Sequence, residues 1–151
     1  MKPSRNCILL IKKFEGYSAN SYLCPAHVPT IGFGSTMWPN GQKVKLGETI
    51  TLDEAEKLLM WELTNKSNAL PNLSVNQNQY DSIISFCYNL GVGAFLKSTL
   101  FKKLNVNPSD ETIRDEFMKW TKARVKGELK TLPGLVRRRK EEADLYFTPM
   151  Q

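Results

Sequence analysis

The sequence predicts an α+β fold, mainly α, with one small β-hairpin unit. Three observations carry this. A capping box, Thr51-Leu52-Asp53-Glu54, opens a long segment in which Leu52, Ala55, Leu59 and Leu63 return with helical spacing. Segments on either side repeat an apolar helical period. Only residues 17–47 change character, with Gly, Pro and Asn breaking them at short intervals. With 151 residues, 41% of them apolar, the chain suits one domain with a real core.

Cys7, Ile8, Leu10, Ile11 and Phe14 predict a first helix that starts after Pro3-Ser4 and stops at Gly16. Thr30–Phe33 and Lys43–Leu46 read as short strands, with a turn at Asn40-Gly41. The helix capped by Thr51 should end by Pro71. Ser74-Val75-Asn76-Gln77 repeats the capping signal, and Tyr80, Ile83, Ile84 and Cys87 form an apolar face that ends near Gly91. Residues 95–104 predict a short helix. Pro108-Ser109 opens another, with Ile113, Phe117 and Trp120 inward. Residues 122–132 read as a basic loop around Gly127. Pro133 fits the first turn of a last helix that buries Val136, Ala143 and Phe147. The count is six or seven helices.

The longest aliphatic run, Ile8–Ile11, is far too short to span a membrane, and no small-residue cleavage site follows it. No membrane anchor is therefore expected. Cys7, Cys24 and Cys87 are odd in number and lack a CxxC pattern, so they read as reduced thiols in a cytoplasmic protein. With His27 they are too few to suggest a zinc site, and no cofactor or metal is expected. The net charge of +6 is uneven: residues 1–50 carry +4, 51–110 carry −1 and 111–151 carry +3. A basic surface suits a polyanion such as nucleic acid, anionic lipid or a bacterial wall, and it also serves plain solubility. No nucleic-acid-binding motif accompanies the charge. The run Arg137-Arg138-Arg139-Lys140 meets Glu141 and Glu142 at i+3 and i+4 from Arg138, which reads as self-paired charge on a solvated helix.

The chemistry concentrates between Glu15 and Gly34. Glu15 closes the first helix, Cys24 follows nine residues later, and Thr30 six after that, opening Thr30-Ile31-Gly32-Phe33-Gly34. A helix C-terminus carries partial negative charge, so an acid there resists ionising. Apolar neighbours such as Phe14 and Tyr17 would desolvate it further, as a general acid working near neutral pH requires. A surface carboxylate is the plainer reading of the same residue. Thr30 can be an ordinary β-former or can hold a water. Gly32 and Gly34 permit close approach of backbone or sugar, and turn geometry explains them equally well. The GxG lacks the further glycine and helix of a nucleotide loop. His27 reads as a loop residue.

This segment resembles the active site of phage lysozymes of the T4-like and lambdoid endolysin type, in which the motif is Glu, eight residues, Asp or Cys, five residues, Thr. Here the middle position is Cys24, the less usual choice. Asp81–Phe95, with Ser85-Phe86 and Asn89-Leu90-Gly91-Val92-Gly93-Ala94-Phe95, resembles the family's second signature, continued by Ser98-Thr99-Leu100. Gly134-Leu135-Val136-Arg137-Arg138-Arg139 with Glu142 is similar to its closing motif. The resemblance implies a lysozyme-like fold across residues 1–151: a hairpin lobe about 15–50, a linking helix about 51–70, and a helical lobe about 71–151 that takes in the N-terminal helix, with a cleft between.

By the same resemblance the activity is that of a muramidase, which cleaves the β-1,4 bond between N-acetylmuramic acid and N-acetylglucosamine with inversion. Glu15 is then the acid. Cys24 and Thr30 position water, Gly32 and Asn89 meet the glycan, and one arginine of 137–139 steadies Glu15 or the substrate. No second carboxylate stands at the usual place, and a thiol stabilises an oxocarbenium-like charge less well unless it ionises. The partner is peptidoglycan. Release from the host cytoplasm by a holin-like membrane protein, a monomeric state and no nucleic-acid partner are expected. Two other classes stay open: a lytic transglycosylase, which needs one acid/base, and a non-catalytic wall-binding protein.

Overall fold

The computed structural model describes residues 1–151. Seven helices and two antiparallel hairpins follow one another: α1 Arg5–Glu15, β1 Ser18–Leu23, β2 Pro29–Gly32, α2 Leu52–Ala69, α3 Gln77–Leu90, α4 Val92–Leu96, α5 Thr99–Val106, α6 Ile113–Met118, β3 Lys122–Val125, β4 Glu128–Thr131 and α7 Pro133–Tyr146. The class is the one expected, α+β and mainly helical. Local signals set several boundaries. Gly16 ends α1 at φ +67°, and Thr51 and Glu54 form the reciprocal capping box of α2. Pro133 sits in the first turn of α7.

Five expectations need correction. Lys43–Leu46 is not a strand; it contributes one bridge, Lys43 to Met37. The partner of β2 is β1, with Tyr22 opposite Thr30, Leu23 opposite Pro29 and a bulge between Ser18 and Tyr22. The cap of α3 is Asn76, paired reciprocally with Gln79, two residues beyond Ser74. Residues 95–104 hold the end of α4 and most of α5, because the Ser98 hydroxyl accepts from Phe101 N and starts a new helix. The basic loop at 122–132 is a hairpin, β3 to β4. Within α2, Leu52 is exposed, and Leu58 takes its place beside Ala55, Leu59 and Leu63.

Two apolar clusters form the core. The first joins Cys7 and Ile11 of α1 to Ile31, Phe33, Val44 and Ile50, to the inner face of α2, and to Tyr80 and Ile84. The second joins Ile83, Phe86 and Cys87 to Phe95, Leu100, Leu104, Ile113, Phe117, Ala143 and Tyr146. The neighbours Ile83 and Ile84 of α3 thus serve different clusters. Residues Asn78 to Cys87 are all buried, so α3 is surrounded by the rest of the chain.

A buried helix must satisfy its polar side chains internally. Asp81, fully buried on α3, accepts from Ser4 N at 2.8 Å, from the Ser4 hydroxyl, and from Gln77 Nε2 at 2.8 Å. Ser4 makes no side-chain cap of its own, so an acid from α3 satisfies the start of α1, where the helix dipole favours negative charge. Asp81→Ala should therefore lower the unfolding free energy by about 2 kcal/mol, because it strands the Ser4 donors. Urea denaturation measures this, and a loss below about 0.5 kcal/mol would show that α1 does not depend on Asp81.

Candidate active site

Glu15 is the last residue of α1, where Gly16 turns the chain away. Its side chain keeps 24% of its exposure. On one side Arg138 Nη1 donates to Oε1 at 2.7 Å. On the other lies Gly34, at φ +91°, where a Cβ would sit 2.8 Å from Oε2 and 3.6 Å from Tyr88 Oη. Tyr88 donates to Phe33 O at 2.7 Å and holds that backbone in place. The immediate partner of the acid is thus a cation rather than an apolar shell. Phe14 lies under the Arg138 guanidinium at 5.9 Å. Tyr17 packs on Phe33 and donates to Ile50 O, so both aromatics brace the neighbours of Glu15.

Arg138 is held from behind. Its Nε donates to Glu142 Oε2 at 3.3 Å, and Ser85 Oγ donates to the same oxygen at 2.6 Å. Arg139 pairs with Glu142 Oε1 at 2.8 Å. Arg138, Arg139 and Glu142 are 4%, 0% and 0% exposed. The i, i+4 pairing expected for this run is present, but it is buried rather than solvated. Burial pushes the Glu142 carboxyl up, against Arg139 and Arg138, and pulls the Arg139 guanidinium down to about 10.

Arg139 Nη2 also donates to Asn89 Oδ1 at 2.7 Å. A guanidinium has no acceptor, so this contact fixes the amide: its oxygen faces inward and its NH2 is left for other partners. Asn89, Glu15 and Arg138 line one cavity of about 530 Å³ together with Lys13, Phe14, Gly134, Leu135, Arg137 and Glu141. Lys13 and Glu141 pair across its rim at 2.5 Å.

Cys24 and Thr30 lie on the hairpin side. Cys24 begins a turn in which Cys24 N donates to Val28 O and His27 N to Cys24 O. His27 stands in this turn at φ +61°, exposed, as a loop residue. The Cys24 thiol is pulled below its ordinary value, first by the Val28 backbone N–H, with Ala26, Thr30 and its own amide adding. Thr30 is 4% exposed and donates to Val28 O at 2.9 Å. Opposite it in the register stands Tyr22, which burial pushes up, with the negative charges of Glu15 and Cys24 adding. Tyr22 is therefore within electrostatic reach of Glu15 and Cys24. At Gly32 a Cβ would meet Ala55 Cβ at 3.2 Å, so this glycine lets β2 pack on α2, and Gly34 is the glycine beside the acid.

With this arrangement in hand, comparison with known proteins is decisive. The phage lysozyme family profile matches residues 12–142. An endolysin of Acyrthosiphon pisum secondary endosymbiont phage 1 is 39% identical over 149 residues, 97% of this chain and 98% of that one. The chain belongs to the phage lysozyme family. Among solved structures, an endolysin from Escherichia coli O157:H7 phage FAHEc1 superposes with a TM-score of 0.90 at 34% identity, over 97% of this chain and 94% of that one. The muramidase domain of SpmX from Asticaccaulis excentricus follows with a TM-score of 0.81 at 32% identity, over 98% and 99%.

Within this phage lysozyme, sequence reasoning left Arg138 undistinguished from its neighbours and did not single out Tyr22 or Tyr88. The strand alternation around Tyr22 was hidden by the bulge. Tyr88 read as part of a signature, and its hydroxyl contact is made across 55 residues. Gly34→Ala tests the packing of the acid. The new methyl would displace the Glu15 carboxylate, and φ +91° adds strain. Wall-lysis activity should fall at least about tenfold, while the unfolding free energy drops by about 1–2 kcal/mol. Full activity in a folded variant would show that Glu15 tolerates displacement.

Proposed function

We propose that the chain is a muramidase that hydrolyses the β-1,4 bond between N-acetylmuramic acid and N-acetylglucosamine in peptidoglycan. The observation that carries this is Glu15 in a cavity shared with Asn89, gripped by Arg138 and backed by Gly34. In this reading the Glu15 carboxylic acid protonates the leaving glycosidic oxygen. Its proton is delivered as the C–O bond breaks, and Arg138 then pairs with the carboxylate that remains. Water held beside Thr30 and Cys24 attacks the anomeric carbon from the opposite face, with inversion. The Asn89 NH2, turned outward by Arg139, donates to the glycan. The Cys24 thiol, drawn below its ordinary value by its turn, stands near the developing oxocarbenium ion. In this reading residues of about 15–50 form a hairpin lobe, α2 links it to a helical lobe of about 71–151 that takes in α1, and the cleft lies between.

The enzyme acts as a monomer, gathers in the host cytoplasm and reaches the wall when a holin-like membrane protein opens the inner membrane. No helix here is long and apolar enough to cross a membrane. Expressed alone in a bacterium, it should therefore accumulate without lysis until the membrane is breached by chloroform. Rapid lysis before any breach would overturn this route.

Glu15 and Cys24 are tested together on purified peptidoglycan. Glu15→Gln should fold and lose activity by about 10³-fold or more. Near-normal activity would end the assignment. Mass spectrometry of wild-type fragments should show reducing N-acetylmuramic acid ends, whereas anhydro ends would identify a transglycosylase. Cys24→Asp should keep substantial activity, and Cys24→Ala should lose activity with a stability change of about 1 kcal/mol or less. Alkylation should inhibit the wild type and spare the Asp variant, because burial pushes the thiols of Cys7 and Cys87 up, the latter to about 12. A fully active Ala variant would leave Cys24 as packing.

A further inference from the structure

The catalytic reading leaves one basic segment unused. Lys122, Arg124, Lys126 and Lys130 stand against Glu128 alone, a net +3 that equals the whole charge of residues 111–151. These residues form the β3–β4 hairpin. Its register sorts them by face, because directly opposed residues of an antiparallel pair point to the same side. Lys122 opposite Thr131 and Arg124 opposite Leu129 share one face. Ala123 opposite Lys130 and Val125 opposite Glu128 share the other. Ala123 is the one half-buried residue of the two strands, so the second face turns toward the body at the base of the hairpin and the first turns outward.

The charges divide the same way. On the inner face Lys130 pairs with Glu128 at 3.7 Å. Lys122 and Arg124 on the outer face, and Lys126 at the tip, enter no ion pair; Arg124 Nη1 donates to Gly127 O at 3.2 Å. Leu129, on the same face, is 59% exposed. Lys126 at φ +52° and Gly127 at φ +81° close a two-residue turn of the kind that keeps a hairpin tight. At the base, Leu132 N donates to Thr121 O at 2.9 Å, and Trp120 packs on Phe86 with ring centres 5.5 Å apart. The ribbon is thus rooted in the second cluster and presents its outer face already ordered.

We propose that the outer face of the β3–β4 hairpin docks on a bilayer surface of anionic phospholipid, with Lys122, Arg124 and Lys126 on the headgroup phosphates and Leu129 at the edge of the acyl chains. This goes beyond hydrolysis of the wall and does not depend on it. Three unpaired cations complement an anionic leaflet, where each basic side chain near the surface adds attraction. The exposed leucine among them gains an apolar contact that a polyanion in water would not offer. The hairpin has no aromatic side chain on which the bases of a single-stranded nucleic acid could stack. With so few charges and one leucine the contact is reversible, short of an anchor. It holds the enzyme at the membrane that it has to cross.

The test is co-sedimentation of the full chain with vesicles of phosphatidylcholine alone and with vesicles in which about one-third of the lipid is phosphatidylglycerol. The wild type should bind the anionic vesicles at about 0.1 M salt, leave them at about 0.5 M and ignore the neutral ones. Equal binding to both kinds, or binding to neither, overturns the proposal. Lys122→Gln and Arg124→Gln should each weaken binding about fivefold, and Leu129→Ser by a similar factor. Lys130→Gln removes the same charge from the inner face, and its loss should stay below about twofold. Equal losses from all three charge variants would assign the binding to overall charge rather than to this face, and that also overturns the proposal. So would an Arg124→Gln variant that loses binding to purified peptidoglycan and keeps its binding to anionic vesicles, since the hairpin would then serve the wall. These variants should lyse purified peptidoglycan at the wild-type rate. A failure on vesicles therefore leaves the reading of Glu15 intact, and a failure of that reading leaves the vesicle result standing.

Discussion

The Arg138 guanidinium is the interaction on which the site depends. It reaches Glu15 at one end and Glu142 at the other, and so ties the end of α1 to the centre of α7 across 123 positions of sequence. Burying this much charge costs free energy that ion pairing only partly returns. The charges are compensated by pairing inside the network. Glu142 receives two guanidinium groups and the Ser85 hydroxyl, and its backbone oxygen accepts from Ser82. Removing one member would leave another charge buried and unpaired, at about 3–5 kcal/mol. What the network supplies is position: it fixes the direction from which a cation meets the acid.

Helix α3 makes that network possible. Asp81, Ser85 and Asn89 are spaced four residues apart and share one face. Each serves a different part of the chain: Asp81 holds the start of α1, Ser85 holds Glu142, and Asn89 is held by Arg139. Tyr88, one residue before Asn89, reaches the hairpin side through Phe33 O. The apolar positions of the same helix enter both clusters. One buried helix therefore fixes the height of the acid, the angle of its cation and the outward turn of the Asn89 amide.

The readable parts of the sequence are those set by local chemistry. The Thr51 box, the Gly16 stop and Pro133 at the head of α7 act within a few residues, and each was legible. The errors came where distant contacts decide. The pattern of Arg137 to Glu142 fits a solvated helix, and only packing against α3 shows that Arg138, Arg139 and Glu142 are enclosed. The strand at Ser18–Leu23 was missed because a bulge breaks the alternation that would reveal it. Gly32 and Gly34 look equivalent as a pair in sequence. They differ because one faces Ala55 and the other faces Glu15.

The turn that carries Cys24 does not depend on the atom at the end of its side chain. Cys24 N and Thr30 Oγ1 both donate to Val28 O, and His27 N donates to Cys24 O, so backbone and a neighbouring hydroxyl close the turn. The same turn draws the Cys24 thiol below its ordinary value, first through Val28. The acid side of the cleft has no such latitude. Glu15 is fixed by a directional ion pair and by a glycine that leaves no space for a methyl group. Tolerance at position 24 and rigidity at position 15 therefore follow from the backbone in one case and from side-chain packing in the other.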